Sequence, residues 1–243
     1  MKGEKVEKLI EGQRWVVSDI HGHPKTLQHL VEEKIRLQLN DQLFLLGDYL
    51  NRGPDSKGVI DYIMELQEDD YQVYALRGNH EQMLLDSHEK AKNYSPEEMR
   101  LPSIQRGRGL KDAKRQLYPK YLHFLESLPY YYELDDCFLV HAGFDFTLAD
   151  PLDDWNAMLW ISDFAKNYNP HKIRHKRVIY GHQTTAIQEI EKAIRKKASV
   201  IPLDNGCYKY NLEDYGHLCA LNLDTWELIR QKNLDREVLV EEV

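Results

Sequence analysis

Cysteine is scarce in this 243-residue chain. Cys137, Cys207 and Cys219 are odd in number and scattered, which excludes a disulfide-stapled scaffold and predicts reduced thiols acting as small core residues. Long apolar runs are missing too. No stretch approaches the roughly 20 apolar residues of a membrane span. Met1 to Arg14 is charged and has no apolar core, so no signal peptide is expected and a cytoplasmic protein without a membrane partner is. Positive charge is in deficit, with 32 Lys and Arg against 40 Asp and Glu, a net charge of −8. That balance speaks against nucleic acid as the partner. It leaves phosphate substrates open, because bound cations reverse the sign locally.

What is present is a series of short apolar runs, each ending in a polar cluster. Arg14–Ser18 runs into Asp19-Ile-His-Gly22, and Gln42–Leu46 into Gly47-Asp48. Gln72–Leu76 runs into Arg77-Gly-Asn-His80, Cys137–Val140 into His141-Ala-Gly143, and Arg177–Tyr180 into Gly181-His182. Strand length, β-branched or aromatic content and a glycine stop mark each run as a strand. Helical spacing lies between them, over 24–39, 55–67, 79–90 and 112–128. The first half therefore reads β-α-β-α-β-α, a largely parallel sheet covered by helices. Residues 199–203, 217–223 and 227–231 read as a closing antiparallel meander. With no repeat or linker, residues 1–243 read as one domain, with a cap or loop insertion over 93–109.

Ligands gather beyond the carboxyl ends of strands in open α/β sheets, and the polar clusters lie at those ends. Asp19 and His21, one residue apart, point the same way in an extended segment, and with Asp48 they make one oxygen/nitrogen site for a divalent ion. Asn79, His141 and His182 are the candidates for a second, with Asp48 as the carboxylate bridge. Two ions about 3.5–4 Å apart lower the pKa of a shared water and clamp a phosphoryl oxygen. A thiolate-free ligand set suits manganese first, with iron or zinc as alternatives. Arg52 and Arg77 are the candidates for bidentate contacts to phosphate. His80 is the candidate general acid. Taken singly, each has a plainer reading: Asp48 as a turn or helix cap, His141 and His182 as core or surface histidines, Arg52 and Arg77 as salt-bridge partners. Jointly, at the ends of separate strands, the dimetal reading is the stronger.

Asp19-Ile-His-Gly22, Gly47-Asp-Tyr-Leu-Asn-Arg-Gly53, Leu76-Arg-Gly-Asn-His-Glu81, His141-Ala-Gly143 and Gly181-His182 resemble the calcineurin-like metallophosphoesterases. More narrowly, they are similar to the serine/threonine phosphoprotein phosphatase branch, including its bacterial and phage members and the symmetrical dinucleoside tetraphosphatases. The motifs keep the family order, and Asp204-Asn-Gly206 resembles its closing segment. The resemblance implies an α/β fold, a β-sandwich of two mixed sheets flanked by helices, with two divalent metal ions held by the ligands proposed above. It implies a phosphoric ester hydrolase acting on a phosphorylated protein or a small phosphate-containing substrate. Two positions depart from the branch. Asn51 stands where relatives have an aspartate that pairs with the histidine matching His80; an amide can hydrogen-bond but does not stabilise imidazolium by charge, so His80 is expected to be a weaker acid. Ser162 stands where bacterial relatives often carry arginine; Arg106, Arg108 and Arg174 are the candidates to replace it. Three functions follow: a serine/threonine phosphatase or broad phosphomonoesterase, a dinucleoside polyphosphate hydrolase, or a catalytically weak metal-binding sensor of phosphorylated partners.

Overall fold

A computed structural model describes residues 3–93, 95, 97, 107, 109–112 and 115–235. Two five-stranded sheets stack face to face. The first has the order β10-β9-β2-β3-β4, built from β2 (Arg14–Val17), β3 (Gln42–Leu45), β4 (Gln72–Ala75), β9 (His217–Asn222) and β10 (Leu228–Lys232). The second has the order β1-β5-β6-β7-β8, built from β1 (Glu4–Lys5), β5 (Tyr131–Glu133), β6 (Cys137–Val140), β7 (Arg177–Tyr180) and β8 (Val200–Pro202). In the first, β2, β3 and β4 pair parallel and β9 closes antiparallel. In the second, β6, β7 and β8 pair parallel and β5 antiparallel. Both sheets are mixed.

The two-residue period of a strand explains the layering. Trp15 and Val17 of β2, with Leu43 and Leu45 of β3, face an outer layer of helices, whereas Val16 and Phe44 face the space between the sheets. From the other side, Leu139 of β6 and Ile179 of β7 enter that space, and Phe138, Val140, Val178 and Tyr180 face outward onto Phe144, Met158 and Phe164. Strands covered on both faces need apolar residues at every position, which is why these runs lack polar alternation. The outer layer on the first sheet comprises α1 (Pro24–His29), α2 (Ser56–Glu68), α3 (Asn79–Ala91) and α4 (Pro119–Ser127); α5 (Trp155–Trp160) and α6 (Ile187–Arg195) follow later in the chain.

At the amino end of β2 a single cation fastens both sheets. Arg14 is buried, and its guanidinium reaches Asp136, in the turn between β5 and β6, at 2.9 Å and Asp224, between β9 and β10, at 3.0 Å. Its amide donates to Asp224 as well, at 2.8 Å.

Three expectations change. Residues 200–202 do not join a meander; they pair parallel with β7 in the second sheet, while 217–222 and 228–232 form the expected antiparallel pair. The helix expected over 112–128 begins only at Pro119, a residue suited to a helix's first turn; ahead of it Lys111 and Leu117 bridge as antiparallel partners. The helix over 24–39 is α-helical to His29 and π-helical over Leu30–Ile35, ending at Arg36 in the left-handed region. Most of the expected cap at 93–109 lies outside the described residues, including Arg100, Arg106 and Arg108.

Candidate metal centre

The carboxyl ends of β2, β3, β6 and β7 and the start of α3 converge on one point. Asp48 lies at its middle, with 2% of its surface exposed. Its Oδ2 is 3.6 Å from His21 Nε2 and 3.9 Å from His80 Nε2, and its Oδ1 is 3.5 Å from His141 Nε2. His21, Asp48 and His80 form one group able to hold an ion, and Asp48, His141 and His182 form another. The carboxylate thus presents one oxygen to each group. Asn79 sits between His141 and His182, its Oδ1 at 2.9 Å from His141 Nε2 and 3.1 Å from His182 Nδ1. Asp19 accepts the His182 amide on both oxygens, at 3.1 and 3.0 Å.

Local conformation puts these groups there. His21, Asp48, Asn51, Arg52 and His182 all have positive φ, between 49° and 66°. Such backbone is costly for residues other than glycine and clusters at functional sites. Glycine is required where the loops touch. A Cβ on Gly78 would lie 2.3 Å from Asp48 Oδ1, and one on Gly181 would lie 2.0 Å from Asp19 Oδ1.

Backbone carbonyls orient the imidazoles. His141 Nδ1 is 2.9 Å from the Leu46 carbonyl and His21 Nδ1 is 3.0 Å from that of Leu50. An Nδ1–H donated outward leaves the Nε2 lone pair aimed at Asp48, the arrangement metal-binding histidines use. With its oxygen inward, Asn79 faces acceptors alone; reversed, its nitrogen would donate to both histidines and to both Asp48 oxygens. A set of lone pairs converging on one space is the donor geometry a cation requires. The residues therefore fit a divalent pair.

Electrostatics agree. Burial pushes the Asp48 carboxyl up to about 7 and lowers the imidazoles of His141 and His182 to about 4. Burial, reinforced by Asp204 and Asp48, also raises Asp19 well above the usual carboxylate range. Four buried acids, Asp19, Asp48, Glu81 and Asp204, share this space, and the imidazoles stay neutral, the form that ligates.

Several residues serve the centre without having been singled out by sequence. Glu81 is fully buried, and its carboxylate accepts the amides of Asp48, Tyr49 and Gly78 at 2.8–2.9 Å. It holds the β3 loop against the start of α3. Burial and Asp48 push it up to about 8. Asp204, likewise buried, accepts from the Gly206 amide at 2.7 Å, and burial pushes it up to about 6. Tyr208 stands edge-on to His21, with ring centroids 5.2 Å apart. The motif Leu76–Glu81 carried the signal for Glu81 and Asp204-Asn-Gly206 that for Asp204; nothing marked Tyr208.

The arginines separate. Arg52 is exposed, and its charge acts on Asp48, His21, His182 and Asp204. Arg77 is committed elsewhere: its Nη2 donates to the carbonyls of Leu125 and Glu126 at 3.0 and 2.9 Å, and its Nη1 to Gln82 at 2.9 Å. It ties the β4–α3 turn to the end of α4. Arg174 pairs with Glu133 at 2.7 Å.

Residues 13–198 match the sequence profile of the calcineurin-like phosphoesterases. The chain belongs to that family. Among curated relatives, serine/threonine-protein phosphatase 1 of Salmonella typhimurium is 37% identical over 91 residues, 36% of this chain and 40% of the relative. A symmetrical bis(5'-nucleosyl)-tetraphosphatase of Buchnera aphidicola is 32% identical over 93 residues, 36% and 33%. These alignments span two fifths of the relatives' length or less. A solved structure whose assignment as a diadenosine tetraphosphatase is itself an inference superposes with a TM-score of 0.61 at 20% identity, covering 94% of this chain and 96% of that one. That likeness supports the fold. Among the described residues no helix is long and apolar enough to cross a membrane.

Proposed function

We propose that the chain is a phosphoesterase working with two divalent ions, manganese first among the candidates, and that it hydrolyses phosphomonoesters in the manner of a serine/threonine phosphatase. The observation that carries the reading is Asp48, with one oxygen toward His21 and His80 and the other toward His141. Asp19, His21 and Asp48 would hold one ion, and Asp48, Asn79, His141 and His182 the other. Ions bound there supply Lewis-acid polarisation of the phosphoryl oxygen and activation of water. Arg52 binds and orients the phosphate through its planar fork. His80 donates a proton to the departing oxygen. Arg77 acts indirectly, by fixing the turn that carries Asn79 and His80.

A second reading is favoured by one contact. Asn51, an amide, is the group beside His80 Nδ1. A phosphoanhydride has a good leaving group and needs little proton donation, so hydrolysis of a dinucleoside polyphosphate would tolerate this pairing.

The test is turnover of para-nitrophenyl phosphate with added manganese, for wild type and Asp48→Asn. Metal-dependent turnover lost in the variant is the expected result. Wild-type protein that binds manganese yet cleaves neither this ester, nor a phosphopeptide, nor diadenosine tetraphosphate would sink both readings and leave a non-catalytic phosphate sensor.

A further inference from the structure

Arg52 is anchored differently from the other arginines around the centre. Among the described residues its guanidinium has no hydrogen bond or ion pair, whereas Arg77, which also lies over a ring (Tyr130, 5.1 Å), donates to two carbonyls, a glutamine and the Tyr130 hydroxyl and Arg14 spends its own on two aspartates. The backbone of Arg52 is in the left-handed region at φ 66°, next to Asn51 at 65°, and the residue is exposed. One contact meets it there: the guanidinium carbon lies 4.3 Å from the centroid of the Tyr208 ring.

Tyr208 is itself held in place. Its ring abuts His21 edge-on at 5.2 Å. Its loop is pinned at Asp204, which takes the Gly206 amide, and by a turn in which Lys209 N–H donates to the Gly206 carbonyl at 2.7 Å. Gly206 has φ +66°, so the turn suits a residue without Cβ. A stacked cation–ring contact uses the face of the guanidinium and leaves its in-plane N–H donors available. Salt bridging would consume those same donors.

We propose that Tyr208 is a positioning residue for phosphate binding, a ring that restrains Arg52 in a single orientation while keeping its fork of donors open to the phosphate oxygens. The proposal rests on the reading of Arg52 as the phosphate-binding arginine. What the ring supplies is restraint of a long, exposed side chain, so its hydroxyl is dispensable and its aromatic face is not.

The experiment measures inorganic phosphate binding to the manganese-loaded protein by calorimetry, with manganese affinity measured separately for every variant. Tyr208→Phe should bind phosphate within twofold of wild type. Tyr208→Leu should bind it about two- to fivefold more weakly, the range of an exposed cation–π contact, by more than any change in manganese affinity; a loss that only follows weakened manganese binding would make the ring a support of His21 and overturn the proposal. In an Arg52→Ala background, Tyr208→Leu should have no further effect. If Arg52→Ala weakens phosphate binding and Tyr208→Leu does not, the proposal is overturned and the role of Arg52 stands. If Arg52→Ala binds phosphate like wild type, both fall. An equal loss from Tyr208→Leu with and without Arg52, or a loss in Tyr208→Phe as large as in Tyr208→Leu, also overturns it.

Discussion

The side-chain nitrogen of Asn51 lies 2.8 Å from Nδ1 of His80. An amide donating to Nδ1 leaves the ring proton on Nε2, the nitrogen facing Asp48, and brings no negative charge to favour imidazolium. We predict that Asn51→Asp strengthens His80 as a general acid. The gain should fall on substrates whose leaving groups need protonation: about tenfold in kcat/KM for phenyl phosphate, and much less for para-nitrophenyl phosphate. Equal changes for the two esters would count against the pairing as the cause.

Stability of the metal-free protein should depend on pH in a way that metal removes. With Asp48, Glu81 and Asp204 raised to about 7, 8 and 6, the folded state keeps protons that the unfolded chain has released, so stability falls as pH rises toward 8. His141 and His182, lowered to about 4, act oppositely: the unfolded chain takes up protons below about 6.5, and stability falls as pH drops from there. Above pH 6.5 the carboxyls outweigh the two histidines, and the net fall is about 1 kcal/mol per pH unit. Thermal midpoints in chelator should decline from pH 6.5 to 8, and the gap to manganese-loaded protein should widen. Parallel curves with and without metal would refute the account.

Arg14 gives a stability prediction independent of the centre. Its removal unfastens the turn carrying Asp136 and leaves Asp224, partly buried, with Lys8 at 2.6 Å as its remaining cation. Breaking a buried pair costs about 3–5 kcal/mol, and the exposure of Asp136 together with the remaining Lys8–Asp224 pair reduces this to about 1–2. Urea denaturation of Arg14→Ala should show that loss with manganese affinity intact. A change below about 1 kcal/mol would mean that the cluster is a surface feature.

Much of this was legible in the sequence, for reasons that differ by element. The strands 14–17, 42–45, 72–75, 137–140 and 177–180 announced themselves because strands covered on both faces are apolar throughout and end abruptly at glycine. Their assignment to two sheets was not legible from periodicity: parallel β2-β3-β4 and parallel β6-β7-β8 have the same local pattern, and only the family resemblance implied a sandwich. Val200–Pro202 misled because proximity in sequence to β9 suggested pairing with it, whereas α6, between β7 and β8, is a crossover that brings β8 back alongside β7. That His21, Asp48, Asn79, His141 and His182 would gather was legible because each lies just past a strand; that Asp19 would turn both oxygens to the His182 amide was not. Arg77 was not: its motif position matched a phosphate contact, and its partners, the carbonyls ending α4, lie nearly fifty residues further along the chain. Tyr208 was invisible because a ring that restrains an arginine has no sequence pattern.

The centre draws on both layers of the sandwich, and its contact from Asp19 to the His182 amide spans 163 residues. Contacts of such long range close late in folding, because the entropy of the intervening chain must be lost first. An ion therefore has no early nucleus to template. It would capture a structure already assembled, slow its unfolding more than it speeds its folding, and act as a lock on the finished protein.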